Sequence, residues 1–166
     1  MEHQRQTSRR LHEEHLATLG AWGRLEQAIA AHGSDSPPSA PDERLERALR
    51  ECAAGLSEEI SRHFEFEEQE LFPRLAEAGE ADIVQLLAEE HETIRDAAKE
   101  FSNLVAALRA GGLERPGWQR LRTLALELAE RLTVHVQKEE MALLPMLDDL
   151  LDEETDRELL AAYAAA

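Results

Sequence analysis

The sequence predicts an all-α chain folded as an up-down-up-down four-helix bundle with a short C-terminal fifth helix. Three observations predict it. Ala, Leu, Glu and Arg dominate while aromatic residues make up 4%, a balance that favours helix and leaves no segment expected as strand. Breaks at "GSDSPPSAPD" (33–42), around Gly79 and at "AGGLERPG" (110–117) divide the chain into long stretches. Each stretch carries apolar residues at three-to-four spacing, as a helix with one buried face requires.

Taken in order, the first helix covers about residues 4–32, with a stripe of Leu11, His15, Thr18, Trp22, Leu25 and Ile29. The second, about 42–78, aligns Leu45, Leu49, Cys52, Leu56, Ile60, His63, Glu67 and Leu71. The third, about 81–110, aligns Val84, Leu87, His91, Ile94, Ala98, Phe101, Val105 and Leu108. The fourth, about 115–147, aligns Leu121, Leu124, Leu128, Leu132, His135, Glu139 and Ala142. A fifth helix at about 153–163, inside "DEETDRELLAAYAAA", closes the chain and could serve partner binding or dimerisation. Short loops make successive long helices antiparallel neighbours. The expectation is one domain over 1–166, its bundle core at 4–147, as a monomer or homodimer. A chain of this length buries a core without disulfides or an obligatory partner, so a metal would serve function rather than folding.

Composition excludes several function classes. The net charge of −17, from 35 acidic against 18 basic residues, and the lack of a separate Lys/Arg cluster disfavour nucleic acid and anionic membranes as partners. No basic-then-apolar N-terminal segment and no run of about 18 apolar residues suggests export or membrane insertion, so a cytoplasmic location is expected. Cys52 is the single cysteine. It excludes an intramolecular disulfide and multi-cysteine metal sites, and fits a small buried residue on its helix stripe.

Each long stripe places a histidine among apolar residues, and two add a glutamate one turn on. "HFEFEEQELFP" (63–73) returns as "HVQKEEMALLP" (135–145), and "LHEEHLAT" (11–18) aligns without gaps on "LAEEHETI" (87–94). The chain is therefore two helix hairpins, each giving one lone histidine and one His-x-x-x-Glu. Antiparallel packing at ~1.5 Å rise per residue brings His15, His63, His91 and His135 to nearly one level. A lone histidine on such a stripe is ordinarily a satisfied core residue, and His63 with Glu67 alone reads as an intrahelical pair. Four at one level, two with a same-face glutamate and all within a repeat, favour a site instead.

Burying four imidazoles and two carboxylates unpaired costs several kcal/mol per ionised group. Two divalent metals remove that cost by accepting the lone pairs. His15, His63, His91 and His135 with bridging Glu67 and Glu139 would give each metal two nitrogens and a share of both carboxylates. That set suits two iron ions, oxo- or hydroxo-bridged, with an open position on each; Mn suits it less for its nitrogen, and Zn for its bridging. No histidine has a glutamate three residues before it, which argues against a ferritin-like di-iron pattern.

At these residues the sequence resembles the hemerythrin-like, or HHE cation-binding, family. The resemblance runs over about 8–147 and rests on "EEH" (13–15), "HFEFEEQELFP", "EEHETIR" (89–95) and "HVQKEEMALLP". It implies His15, His63, Glu67, His91, His135 and Glu139 as metal ligands with both glutamates bridging, the six that spacing gives. Oxygen-carrying hemerythrins use a fifth histidine one turn from the third-helix ligand and a bridging aspartate on the last helix; here Leu87 and Arg95 flank His91, and Glu139 stands in the last place. The resemblance therefore implies a branch that senses or handles oxygen, nitric oxide or peroxide, or serves iron homeostasis, rather than a simple oxygen carrier.

His12 could add a nitrogen from the first helix or stand at the edge of the site. Glu68 and Glu140 read as solvated-face or bundle-end charges rather than ligands, with Glu140 left open as a ligand from its i+5 position, and His3 and His32 read as exposed. Phe64, Phe66 and Phe72 could line a ligand pocket but fit core packing better. Pro73 and Pro145 are expected to kink or end their helices and so close the bundle over the site. The expected function is a non-haem di-iron protein that binds a small diatomic or peroxide ligand. The alternatives are an enzyme that turns over peroxide or nitric oxide or donates iron for iron-sulfur repair, and a metal-free helical interaction module.

Overall fold

The computed structural model describes residues 4–35, 37–38 and 42–165. His3 lies outside the described residues. Among the described residues, seven α segments follow one another: α1 Gln6–Ala30, α2 Glu43–Glu58, α3 Phe72–Glu77, α4 Ala81–Gly111, α5 Arg115–Lys138, α6 Leu144–Leu150 and α7 Glu153–Ala165. Among the described residues there is no strand, and the fold is the helical bundle with a C-terminal helix that the stripes predict. No described helix is long and apolar enough to cross a membrane.

The prolines do not end their helices. Two π-helical segments, Glu59–Phe64 and Glu67–Leu71, lie between α2 and α3, and a third, Glu139–Leu143, between α5 and α6. The residues that join them keep helical backbone angles. Pro73 and Pro145 therefore do not end their helices; each sits in the first turn of a new α segment. Proline has no N–H and its ring collides with the carbonyl four residues back. A π segment moves that carbonyl aside, with the Phe72 N–H donating to the Glu67 carbonyl and the Leu144 N–H to that of Glu139, five residues back in each case. The first turn of the next segment then needs no N–H from proline. The fourth predicted helix consequently runs through Pro145 to Leu150 instead of stopping near 147.

Other boundaries follow ordinary capping chemistry. Asp42 Oδ1 accepts the Arg44 and Leu45 N–H groups at 2.9 and 3.1 Å and starts α2, while Asp152 Oδ1 accepts the Thr155 N–H at 2.8 Å and starts α7. Gly79 and Gly112, at φ of 101° and 90°, turn the chain after α3 and α4, a backbone conformation that costs glycine nothing.

Two compact units form. The first contains Met1–Leu16, Glu58–Glu92 and Val134–Ala166, and the second Ala17–Ser57 and Thr93–Thr133. In the second, Trp118 is fully buried, its indole N–H donates to the Gly33 carbonyl at 3.0 Å, and Trp22 packs on Phe101 at 5.3 Å between rings. Arg122 donates to the carbonyls of Ile29 and His32 at 2.8 and 2.6 Å, satisfying the C-terminal end of α1. His32 is not the exposed residue expected: its imidazole pairs with Asp42 at 2.6 Å and is 20% exposed. Cys52 is buried, and burial pushes its thiol up to about 12, so it packs rather than reacts.

The first unit holds the tail. The leading N–H groups of α1 would be unpaired, and two carboxylates supply acceptors: Asp148 takes those of Gln4 and Arg5, and Asp156 those of Gln6 and Thr7, at 2.8–2.9 Å. Negative charge at a helix N-terminus also suits the helix dipole. With Leu159 and Tyr163 buried beside Leu11, Phe66 and Leu147, α7 spends one face inside its own chain. Phe66 and Phe72 belong to this apolar cluster as well.

Candidate metal centre

Six buried polar side chains meet in the first unit: His15 from α1, His63 and Glu67 from the π segments after α2, His91 from α4, His135 from α5, and Glu139 from the π segment after α5. Each is at most 2% exposed. Two four-residue groups result, His15 with His63, and His91 with His135, each completed by both Glu67 and Glu139, and the donor atoms within a group lie within 4.8 Å of one another. Metal–donor bonds of about 2.1 Å place opposite donors about 4.2 Å apart, so each group is of the size to surround one ion. Sharing both carboxylates makes the two positions adjoin.

The polarity of the atoms says what belongs between them. His15 Nε2 faces His63 Nε2 at 3.3 Å and His91 Nε2 faces His135 Nε2 at 3.1 Å. Glu139 lies 2.9 Å from both His15 and His135 Nε2 and 3.9 Å from His91 Nε2, and Glu67 lies 3.3 Å from His63 and from His91 Nε2. Both oxygens of Glu67 and Oε1 of Glu139 have no hydrogen-bond partner beyond these imidazole nitrogens. Buried carboxylate oxygens need a positive partner, and a proton on Nε2 or a metal ion would supply it.

The other ring nitrogens explain why the Nε2 atoms are free. Each Nδ1 meets a carboxylate of another helix: His15 with Glu140 at 2.6 Å, His63 with Glu14 at 3.0 Å, His91 with Glu68 at 2.7 Å and His135 with Glu90 at 3.0 Å. A carboxylate only accepts, so Nδ1–H donates and, in the neutral ring, Nε2 is left as a lone pair pointing inward. All four outer carboxylates are sequence neighbours of an inner residue: Glu14 and Glu90 precede His15 and His91, and Glu68 and Glu140 follow Glu67 and Glu139. One step along a helix turns the side chain by about 100°, away from the centre and toward the back of the next helix's imidazole. The result is a closed ring in which every helix holds the histidine of its neighbour.

A family model for the hemerythrin HHE cation-binding domain matches residues 6–147. The chain belongs to this family. A comparison with curated proteins returned no match. The hemerythrin match ends before α7, while the six inner residues and the four outer carboxylates all lie within it. The buried His and Glu groups fit a binuclear metal site.

Electrostatics agrees with a site built for cations. Burial alone lowers the imidazoles of His15 and His91, but Glu139 with Glu140 for the first, and with Glu67 for the second, outweigh it and raise both to about 9. His63 is raised well above its ordinary value by Glu67 and Glu14 against the same burial effect, and His135 is raised by Glu139. Burial raises the Glu139 carboxyl, and the surrounding imidazoles of His135, His15 and His91 outweigh it and hold it well below the usual range. Protons and metal ions thus compete for the same four Nε2 atoms.

Two residues around the centre differ from their expected roles. Glu68 and Glu140 are not solvated charges: their side chains are 30% and 24% exposed and hold His91 and His15. The repeated "EEH" (13–15, 89–91) and the "EE" four residues after His63 and after His135 are the visible signal for this outer ring; spacing along one helix face could not reveal it because these residues point to a different helix. His12 stands at the edge, its Nδ1 2.9 Å from Glu140 and its side chain 37% exposed, and it belongs to neither group. Leu87, where a fifth imidazole would be sought, is fully buried in the apolar cluster. Phe64 stacks on His91 with ring centres 3.7 Å apart and meets His135 edge-on at 5.5 Å, closing one side of the site with an apolar ring.

Outer carboxylates of this kind typically change metal affinity by 10–100-fold. Glu68→Gln keeps the shape but presents an amide that can offer N–H to His91 Nδ1, and the expected result is a roughly tenfold or greater loss of cobalt(II) affinity with an unchanged helical circular-dichroism spectrum. Unaltered affinity would show that His91 orientation is set without Glu68.

Proposed function

We propose that this protein is a non-haem di-iron protein that binds a small diatomic or peroxide ligand. The observation that carries the reading is the sharing of Glu67 and Glu139 between two His-His groups. His15 and His63 would hold one ion, His91 and His135 the other, and both carboxylates would join them. Four nitrogens with two shared carboxylates suit iron better than the oxygen-rich sets of manganese or the closed sets of structural zinc. Bound iron would supply reversible redox chemistry and coordination positions that two imidazoles and two carboxylate oxygens do not fill.

The chain's own residues determine what could reach those positions. All six inner side chains are buried and Phe64 covers His91, so a ligand must be small. The Nδ1–Glu pairs hold the four rings in one tautomer and orientation, which spares the site that reorganisation when a metal enters. Leu87 in place of a further imidazole supports ligand sensing or handling rather than the five-histidine arrangement of oxygen carriers.

The test is metal content of protein purified anaerobically from cells supplied with iron and zinc. About two irons per chain, with near-ultraviolet bands in the oxidised form that are lost in His63→Ala, is the expected result. Folded protein that stays metal-free after ferrous reconstitution would refute the reading. Consumption of peroxide beyond one equivalent per iron pair would place the protein among enzymes instead.

A further inference from the structure

We propose that α7, which lies beyond the matched family domain, is a working part of the metal centre: Tyr163 acts through Glu14 as a positioning residue for His63. The inference rests on the two-metal reading and concerns the position shared by His15 and His63.

Tyr163 is the chain's single tyrosine and is 3% exposed. Its hydroxyl donates to Glu14 Oε2, the same oxygen that accepts His63 Nδ1–H at 3.0 Å. His63 Nε2 in turn faces the centre, 3.3 Å from Glu67 Oε1. A continuous line of polar contacts therefore runs from the last helix to an inner nitrogen. Such a carboxylate needs a second hold to keep a fixed place, and Glu14 is pulled two ways. Arg10 takes Oε1 at 2.8 Å and is 46% exposed, so it draws Glu14 toward solvent. The buried Tyr163 hydroxyl draws it toward His63.

The placement of Tyr163 is itself over-determined. Its ring packs on Phe66 at 4.6 Å, the Arg62 guanidinium lies 5.0 Å over its centre, and Arg62 also donates to the Tyr163 carbonyl at 3.3 Å. One helix turn apart on α7, Asp156 binds the start of α1 and Leu159 enters the apolar cluster. The opposite half of the site solves the same problem differently. Glu90, which stands where the repeat places Glu14, is held by Lys138 while it accepts His135 Nδ1–H. A buried hydroxyl beside the exposed Arg10 guanidinium on one side and the Lys138 ammonium on the other make the two metal positions inequivalent.

The experiment is calorimetric titration of the full chain with cobalt(II), for wild type, Tyr163→Phe, Glu14→Gln and the double variant. Tyr163→Phe keeps the ring and its packing and removes the hydroxyl alone. Wild type is expected to take two ions. Tyr163→Phe should weaken one of the two equivalents by about tenfold and leave the other unchanged, Glu14→Gln should weaken the same one by about 10–100-fold, and the double variant should be no worse than Glu14→Gln. That non-additivity is what action through Glu14 requires. Two wild-type-like equivalents in Tyr163→Phe, equal weakening of both, or additive losses in the double variant would overturn the proposal. A wild type that binds no cobalt(II) and no iron would instead remove the two-metal reading on which it stands.

Discussion

Glu139→Gln is expected to empty the centre. Glu139 belongs to both four-residue groups and stands 2.9, 2.9 and 3.9 Å from three of the four Nε2 atoms. Glutamine preserves the volume and removes one of the two shared anions. Removing one partner of a buried charged cluster costs about 3–5 kcal/mol, and every ~1.4 kcal/mol is tenfold in affinity, so the loss for the first ion is about a hundredfold or more. Both positions share this residue, so both fail together. Metal content should fall from about two per chain to near zero while far-ultraviolet circular dichroism remains helical. Two tightly held ions in Glu139→Gln would show that the carboxylates do not join the positions.

Metal-free protein is expected to lose stability as pH rises, and bound metal to remove that loss. His15 and His91 are held at about 9 against an ordinary 6.5, with burial opposing and the Glu67, Glu139 and Glu140 carboxylates prevailing. A raised folded-state pKa gives stability that is complete below the unfolded value and disappears as pH climbs through the folded one. In the metal-free protein this contribution is therefore present below about pH 6.5 and is lost by about pH 9. At ~1.4 kcal/mol per unit, one such imidazole contributes about 3 kcal/mol, and the pair shares carboxylates so its sum is less than double. For a chain of this size ~1 kcal/mol moves the melting midpoint by about 2–4 °C. The chelator-treated protein should thus melt at least ~6 °C lower at pH 9 than at pH 6.5. Metal displaces the protons, so its affinity rises with pH and the midpoint gap between loaded and chelated protein widens. A chelated protein whose midpoint is flat or rising over this range would contradict the raised imidazoles.

Both expectations arise from residues that the sequence already singled out. The stripes on four helices and the aligned "EEH" and His-x-x-x-Glu repeats put His15, His63, Glu67, His91, His135 and Glu139 on inward faces, because residues three and four apart on a helix share a side. Metal identity and ligand are a different matter, since one donor set accepts several ions.

By itself the sequence determined the helical class, the positions of four long helices and the tail, and the level at which four histidines meet, because periodicity and punctuation are local properties of the chain. Only the tertiary structure decided what lies behind each imidazole. Glu14, Glu68, Glu90 and Glu140 sit one step off the inner face, so their partners are on other helices and no intrahelical spacing encodes them. Tertiary structure likewise decided that Pro73 and Pro145 continue their helices, since a π segment must widen the turn before each proline. It also gave the tail its place, where Asp156 meets the start of α1 and Tyr163 reaches Glu14. These are contacts between residues about 150 positions apart, and a pattern read along one helix has no access to them.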